Sequence, residues 1–340
     1  MAPSVLRKRR AGRGTHKGTL FMHAAGKSDH CEVPKKSPNK GRRDLRRRWR
    51  ERRWIKENSM EQHTDPTQSR VAVSQGLHGV REAARRDKGL RFTALLHHVH
   101  EKLLLESFYL LKKEAAPGVD QVTWSEYEQG VEVRITDLHG RVHRGAYRAQ
   151  PSRRVYLPKP DGRQRPLGIA ALEDKIVQQA VATVLQQIYE EDFLGFWYGF
   201  RPGRGAHDAL DALTAGIMTK KVSWILDAGI HGFFDNISHE KLVEWIELRI
   251  ADQRLLRLIQ KWMKAGVSEE GQWSETKIGT PQGAVISPLL ANIYLHNVLD
   301  QWVVEWRRQF ASGDVLLVRY ADDCAPRAHR AEEGPMCVTA

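Results

Sequence analysis

The sequence predicts an α+β fold for most of this 340-residue chain. Apolar residues recur at three- and four-residue spacing in several long stretches, which indicates amphipathic helices. Two runs of strand composition flank Asp161-Gly162, a dipeptide typical of hairpin turns. Near the end of the chain, an apolar run predicts a strand that carries Asp322 and Asp323 at its tip.

The basic charge of the chain is concentrated in its N-terminal head. Residues 1–60 carry 19 Lys and Arg against five Asp and Glu, whereas the formal net charge of the whole chain is +13. We expect this head to be disordered or a frayed helix, because its like charges repel one another in a compact state. It is either a nucleic-acid-binding arm or a solvated tail, and Met60 would be a sensible start for the folded part. Residues 61–90 are polar and poorly periodic, and we interpret them as a linker.

The sequence shows no apolar stretch long enough to cross a membrane and no signal peptide, so we expect a cytoplasmic protein without membrane partners. Its three cysteines, Cys31, Cys324 and Cys337, are too few and too scattered for a disulfide framework or a tetrahedral zinc site.

The first predicted helix of the folded part begins with Thr93 as its N-cap and runs to Leu111. His97, His98 and His100 lie on more than one face of this helix and lack acidic or thiol partners at ligand spacing. A solvated helix surface is therefore the better interpretation than a metal site. A further helical stretch follows Thr123.

The hairpin around Asp161-Gly162 carries evenly spaced cations. Arg153, Lys159 and Arg165 are six residues apart, so they share one face of extended structure and could meet a run of phosphates. The alternative is an ordinary exposed strand face.

A long amphipathic helix is predicted from Asp174 to Tyr189. Beyond it, a Gly- and Pro-rich loop at 199–205 carries Arg201 and Arg204. This loop is either a basic contact to a nucleic-acid backbone or an ordinary surface turn.

The second half of the chain begins with a short buried strand at 222–227. Helices are predicted from Ser238 and from 255 to 263. A third helix starts at Ser287-Pro288, where a capping residue precedes a proline at the first helical position.

The strand that ends in Asp322 and Asp323 is typical of a metal-ion polymerase site, because only chemistry or a metal justifies adjacent carboxylates at an apolar strand tip. Such a strand should turn back into a second apolar strand. Residues 324–329 contain a proline and too few apolar residues for one, so we expect no paired strand there and the chain to stop inside its own active-site domain.

Five sequence motifs together resemble the reverse transcriptases encoded by bacterial group II introns. In chain order they are Arg-Pro-Leu-Gly-Ile at 165–169, Tyr-Gly-Phe-Arg-Pro-Gly-Arg at 198–204, Gly-Phe-Phe-Asp-Asn-Ile at 232–237, Gly-Thr-Pro-Gln-Gly with Ser-Pro-Leu-Leu between 279 and 290, and Tyr-Ala-Asp-Asp at 320–323. The resemblance implies a right-hand polymerase fold, with fingers at 91–220, a partial palm at 221–323 and an aberrant tail at 324–340. The remainder of the palm, the thumb and the maturase domain would be absent.

The resemblance also implies RNA-templated DNA synthesis by a two-metal mechanism, with RNA template or intron RNA, DNA primer and deoxynucleoside triphosphates as partners, and help with intron splicing and mobility. Asp322 and Asp323 would hold Mg²⁺, Phe234 would exclude a ribose 2′-hydroxyl, and Gln282 would line the nucleotide pocket. The triphosphate would be held by the hairpin cations Arg153, Lys159 and Arg165.

The chain departs from this family at Gly229. The family places a third metal-binding aspartate in the pattern Asp-Ala-Asp-Ile, where this sequence has Asp227, Ala228, Gly229 and Ile230. Asp227 is two positions back and therefore about 7 Å away, too far to substitute. We expect a truncated, catalytically impaired polymerase with an incomplete two-metal site. The alternatives are a non-catalytic RNA-binding protein and an inactive remnant of a mobile element.

Overall fold

The computed structural model describes residues 9–10, 75–158, 162, 164–220, 224–225, 228–276, 278–280, 283–311 and 315–328. The chain divides into two compact units. The first contains residues 1–17, 73–158 and 164–340, and the second contains residues 18–72 and 159–163, of which Gly162 alone is described.

The described residues form helices in groups that are separated by pairs of short strands, which agrees with the predicted α+β class. The helices are α1 Gln75–Arg86, α2 Glu101–Leu110, α3 Trp124–Glu128, α4 Val131–His143, α5 Leu172–Asp192, α6 Ala206–Thr219, α7 His239–Glu247, α8 Gln253–Lys264, α9 Ser287–Leu295 and α10 Gln301–Phe310. A π-helical turn at His296–Asp300 joins α9 to α10, and 3₁₀ turns lie at Leu96–His98 and Phe233–Asp235.

Helix α5 is the central helix of the fold. It is buried on nearly all of its faces and packs against α1, α2 and α9. The polar side chains that it buries have partners within the protein: the Asp174 carboxylate accepts the N–H of Gln150, and the Lys175 ammonium donates to the Ala116 carbonyl. The prediction of a long helix here is confirmed.

Two sheets accompany the helices. In the first, strand order is β1 (Arg9–Arg10), β4 (Trp224–Ile225), β9 (Asp323–Ala328) and β5 (Ala228–Gly229), and β8 (Leu316–Tyr320) pairs with β9. In the second, strand order is β3 (Gln164–Ile169), β2 (Ser152–Pro158), β6 (Val267–Glu269) and β7 (Gln272–Ser274).

Strands β2 and β3 form the predicted hairpin around Asp161-Gly162. They are antiparallel, with Arg153 opposite Ile169 and Leu157 opposite Arg165. Gly162 has a φ of 82°, which is the left-handed conformation that glycine adopts at turns.

The prediction that the first helix begins after Thr93 is wrong. Thr93 does not cap a helix, because the Asp252 carboxylate accepts the backbone N–H groups of Leu95 and Leu96 at 2.8 and 2.9 Å. Helix α2 begins only at Glu101, where the His100 ring accepts the N–H of Leu103. A carboxylate 157 residues away in sequence thus replaces the expected local cap.

The helix after Thr123 is confirmed, and its capping box is complete. The Thr123 hydroxyl accepts from the Glu126 N–H at 3.3 Å, and the Glu126 carboxylate accepts from the Thr123 N–H at 2.8 Å. This reciprocal pair satisfies two backbone donors that a helix start leaves open.

Of the basic head, the structure describes Arg9 and Arg10. They form β1 and pair with β4, so the predicted disorder is wrong for these two residues. Pairing of this kind uses backbone groups and needs no apolar side chain. The rest of the head and residues 61–74 of the predicted linker lie outside the described residues. Gln75–Arg86 form helix α1, which packs against α5, so the linker prediction is wrong for that segment. None of the helices described is both long and apolar enough to span a membrane.

Candidate active site

The two adjacent carboxylates lie at the turn between β8 and β9. Tyr320 and Asp323 are paired across the hairpin, and Ala321 and Asp322 form its two-residue turn. Ala321 has a φ of 55°, a left-handed conformation that few non-glycine residues adopt. The Asp322 side chain is half-buried and the Asp323 side chain is exposed, so both are in reach of solvent or ligand.

The expectation that no strand follows Asp323 is wrong. Residues 323–328 form β9, which pairs with β8 on one side and with β4 and β5 on the other. Pro326 is tolerated because it lies between Cys324, which pairs with β5, and Arg327, which pairs with β4. Cys324 is buried with Leu317, so one apolar thiol supplies the packing that the sequence pattern did not show.

Gly229 is the direct neighbour of this carboxylate turn. Its Cα is paired with that of Asp323, and the N–H of Ile230 donates to the Asp322 carbonyl at 3.2 Å. A Cβ placed on Gly229 would lie 3.2 Å from Oδ1 of Asp323. The structure therefore puts position 229, where the family resemblance leads us to expect a third carboxylate, beside the two aspartates. Asp227, the aspartate two positions before Gly229 that could have replaced the third carboxylate, lies outside the described residues.

The donor chemistry of the turn suits Mg²⁺ in part. Carboxylate oxygens are its preferred protein ligands, and Mg²⁺ is often held by one or two carboxylates together with substrate phosphates and water. Asp322 and Asp323 supply those two carboxylates. In the described part of the chain, however, no three His, Cys, Asp or Glu side chains are grouped so as to hold a metal ion.

Phe234 belongs to the 3₁₀ turn that follows β5. It is half-buried, and its ring meets the buried ring of Phe233 edge-on at 5.5 Å. The Phe234 carbonyl accepts the N–H of Thr280 at 2.8 Å. Gly279 has a φ of 88°, and a Cβ there would lie 2.8 Å from the same carbonyl. The segment at 279–280 is thus fixed against the Phe234 turn.

The other end of the Gly-Thr-Pro-Gln-Gly segment lies against the β2–β3 hairpin. A Cβ on Gly283 would be 3.0 Å from the carbonyl oxygen of Gly168 in β3. Gln282 itself lies outside the described residues.

The hairpin cations differ in their surroundings. The register puts Arg153 and Arg165 on the same face of the hairpin, as predicted. Arg165 is exposed, whereas Arg153 is half-buried and its guanidinium donates to the Pro117 carbonyl at 2.7 and 3.1 Å. Lys159 lies outside the described residues.

Arg201 does not present its charge to a nucleic acid, so the sequence interpretation is corrected for this residue. Its side chain is buried, pairs with Glu190 at 2.9 Å and donates to the Leu194 carbonyl at 2.8 Å. Arg204 is half-buried, and its Nη1 donates to the carbonyls of Gly195 and Trp197. Burial lowers the pKa of the Arg204 guanidinium. The loop arginines therefore stabilise the loop itself.

A buried network behind the carboxylate turn was not predicted. Arg319 in β8 is fully buried and makes two hydrogen bonds to the Asp300 carboxylate, at 2.8 and 2.6 Å. Burial and, to a lesser extent, the positive charge of Arg319 together lower the pKa of the neighbouring His296 to about 4. His296 is therefore neutral near pH 7, which leaves Arg319 to balance Asp300. The one signal in the sequence was a charged residue within the apolar run 316–320.

Comparisons with known proteins identify the family of this chain. The model of the family described as reverse transcriptase (RNA-dependent DNA polymerase) matches residues 157–338 and so extends past Asp323. The group II intron-encoded protein LtrA of Lactococcus lactis subsp. cremoris is 41% identical over 180 residues, which are 53% of this chain and 30% of that protein.

Two further relatives show similar identity. The protein YkfC of Escherichia coli strain K12 is 38% identical over 192 residues, covering 56% of this chain and 50% of that protein. An uncharacterized 91 kDa protein in the cob intron of Schizosaccharomyces pombe is 40% identical over 160 residues, covering 47% of this chain and 20% of that protein. The chain thus spans half or less of the length of these relatives. It belongs to the reverse transcriptase family and, within that family, is similar to the proteins encoded by group II introns.

Proposed function

We propose that this chain carries the site of an RNA-directed DNA polymerase of the group II intron type, with its catalysis impaired at Gly229. The observation that carries the proposal is the carboxylate turn of Asp322 and Asp323, paired in register with Gly229 inside a reverse transcriptase match. The names of the relatives support intron RNA as a template or ligand, with intron mobility and splicing help as the setting.

Each residue of the site has a proposed task in this function. Asp322 and Asp323 would hold Mg²⁺, which when bound would activate the primer 3′-hydroxyl and neutralise charge on the triphosphate. Arg165, which is exposed, would meet the triphosphate of the incoming deoxynucleotide together with Lys159. Phe234 would exclude the 2′-hydroxyl of a ribonucleotide, and Gln282 would line the pocket.

Arg153 would act less directly than the other hairpin cations. Its guanidinium already donates twice to the Pro117 carbonyl, so it would orient the hairpin and retain only part of its donors for phosphate.

Gly229 limits the rate that this site could reach. With two carboxylates instead of three, the second metal position has too few oxygen ligands. A loss of about 4 kcal/mol of transition-state stabilisation corresponds to a rate about a thousandfold lower. We therefore expect weak, Mg²⁺-dependent synthesis rather than efficient polymerisation.

The test is primer extension on an RNA template by the full chain, with Mg²⁺ varied. We expect weak extension that the double substitution Asp322→Ala, Asp323→Ala abolishes. A matched control, Glu128→Ala with Glu132→Ala, removes two exposed carboxylates away from the turn and should leave extension unchanged. Extension that survives the loss of both aspartates would contradict the assignment of this turn.

A second candidate is RNA binding without catalysis, which the glycine at 229 favours. It predicts no extension by the wild-type chain at any Mg²⁺ concentration, together with RNA binding that the Asp322→Ala, Asp323→Ala variant retains. Because both loop arginines are engaged within the protein, this RNA contact would have to come from other cations, such as Arg165.

A further inference from the structure

We propose that Arg319 is a positioning residue for the carboxylate turn, held by Asp300 and Trp197 in a buried arrangement that we call the Arg319 clamp. The clamp would fix the direction in which Asp322 and Asp323 present their carboxylates. This inference rests on the proposed function of those two residues, but its geometry is independent of that function.

The first observation is that Arg319 bonds directly to the turn. Its Nη1 donates to the carbonyl of Ala321 at 2.8 Å, while Nε and Nη2 hold the Asp300 carboxylate. Ala321 is the residue with the left-handed φ of 55°. Such a conformation is unfavourable for alanine and persists only when the surroundings hold it. A fixed guanidinium fork on its carbonyl is a restraint of that kind.

The second observation is that buried neighbours hold the Arg319 guanidinium at its edge and at its face. Asp300 and Arg319 have no exposed side-chain surface, and the face of Trp197 lies 4.0 Å from the guanidinium. Trp197 is fully buried, and its indole N–H donates to the Gly199 carbonyl at 3.1 Å. The planar guanidinium is therefore fixed by a carboxylate at its edge and an aromatic ring at its face.

The third observation is a close backbone contact on the other side of the turn. A Cβ on Gly199 would lie 2.2 Å from the Ala321 nitrogen, so Gly199 is needed for the segment at 196–199 to approach. The N–H of Tyr198 donates to the Arg319 carbonyl at 2.9 Å, and the N–H of Arg319 donates to the Phe196 carbonyl at 3.1 Å. The clamp and these backbone contacts with 196–199 together hold the turn through Arg319 and Ala321.

Stability alone is a poor explanation for the clamp. A buried ion pair contributes little net stability relative to apolar residues of similar volume, because both charges lose their hydration. The distinctive feature of this pair is its third bond, to the carbonyl of the residue before Asp322. That bond links the clamp to the site and yields a test that separates positioning from folding.

The experiment compares the full chain with the double variant Arg319→Met, Asp300→Leu, which replaces the ion pair by apolar side chains of similar size. We expect this variant to melt within a few degrees of the wild type, because no charge is left buried alone. Amide hydrogen exchange over residues 320–324, measured without metal, should be at least about tenfold faster. The Kd for Mn²⁺, used as the probe for Mg²⁺, should rise about tenfold, as is usual when supports of metal ligands are lost.

Two further variants keep the test decisive. Arg308→Met removes an exposed arginine that pairs with Glu305 and should change none of the three measurements. Arg319→Lys keeps the buried positive charge but lacks the planar fork, and should show faster exchange and weaker Mn²⁺ binding in a folded chain. If the double variant does not fold, amide exchange and Mn²⁺ binding of Arg319→Lys show whether Arg319 positions the turn.

Wild-type exchange and wild-type Mn²⁺ affinity in a folded variant without the guanidinium would overturn the clamp. A wild-type chain that binds no Mn²⁺ would instead count against the proposed function, and the exchange measurement would still decide whether Arg319 positions the turn.

Discussion

Gly229 has an extended backbone conformation that an aspartate can adopt, since its φ is not among the left-handed values of this chain. Among the described residues, the one atom within 4 Å of a Cβ there is Oδ1 of Asp323, at 3.2 Å, which lies at the end of an exposed side chain. At the residue scale, the third carboxylate is therefore missing for a chemical reason, the identity of the residue, and not because the fold leaves no room.

We predict that Gly229→Asp folds and gains a specific response to Mg²⁺. Without metal, like charges about 4 Å apart should cost about 1 to 4 kcal/mol of stability, the range from bulk water to a protein surface. Addition of Mg²⁺ should recover that loss, because the cation binds the folded state preferentially. Thermal unfolding in EDTA and in Mg²⁺ measures both effects.

Gly79→Asp is the matched control, because it adds a carboxylate at an exposed helical glycine with no atom within 4 Å. It should show no gain from Mg²⁺ beyond that of the wild type. Unfolding of Gly229→Asp regardless of metal would show that the site does not accept the third carboxylate.

Asp174 gives a prediction for the pH dependence of stability. Burial raises the pKa of its carboxyl to about 6, although hydrogen bonds from Tyr147 and from the Gln150 N–H act in the opposite direction. The folded state thus binds the proton more tightly than the unfolded state. The contribution of Asp174 is fully present below about pH 4 and is lost as pH rises through about 6, a change of about 3 kcal/mol.

The substitution Asp174→Asn removes this titration. We expect the free energy of unfolding of the wild type, relative to that of the variant, to fall between pH 4 and pH 7. Denaturant unfolding of both proteins across that range measures the difference. A constant difference would show that Asp174 does not titrate in this way.

Residue types in the sequence identified the carboxylate turn and the glycine beside it, but they could not identify the partners of arginines. The sequence around Arg201 and Arg204 predicts a basic loop on the surface. In the structure, Glu190 accepts from Arg201, and nearby backbone carbonyls accept from Arg204. Arg319 went unnoticed although it bonds to the turn. In both cases the partner is set by tertiary packing, which spacing in the sequence does not contain.

At the scale of elements, Asp252 joins two parts of the fold. One of its carboxylate oxygens accepts from the N–H groups of Leu95 and Leu96, and the other accepts from those of Arg254 and Leu255 at the start of α8. It therefore caps α8 and replaces the cap that Thr93 would have given.

We predict that Asp252→Ala lowers the free energy of unfolding by about 3 kcal/mol, because it leaves buried backbone donors without acceptors. Ser238→Ala, which removes one exposed cap bond at α7, should cost about 1 kcal/mol. Denaturant unfolding gives both values. Equal losses would contradict the double role of Asp252.

Strand β9 shows why the end of the described chain was misread. The pattern of 324–328 lacks alternation and contains Pro326, so a sequence argument excludes it as a strand. In the structure, backbone pairing to β8, β4 and β5 and the buried side chain of Cys324 define the strand. The predicted strand at 222–227 contains β4, whereas the two-residue β5 is too short to be recognised from composition.

At the scale of the whole molecule, the α+β class and the helices with strong apolar periodicity could be predicted, because they depend on local pattern. The order of the strands could not, because β9 is the last of the described strands along the sequence yet lies between β4 and β5 in the sheet. That order matters for function, since it alone brings Asp323 opposite Gly229.

The central claim is that this is a reverse transcriptase site that lacks one carboxylate. The most direct test is Mg²⁺-dependent primer extension on an RNA template by the wild-type chain, by Gly229→Asp and by Gly229→Asp combined with Asp322→Ala and Asp323→Ala. Our account predicts that Gly229→Asp extends the primer at least about a hundredfold faster than the wild type, since restoring a metal ligand recovers several kcal/mol, and that the triple variant is inactive. A rate for Gly229→Asp no higher than that of the wild type, in a chain that folds and binds Mg²⁺, would contradict it.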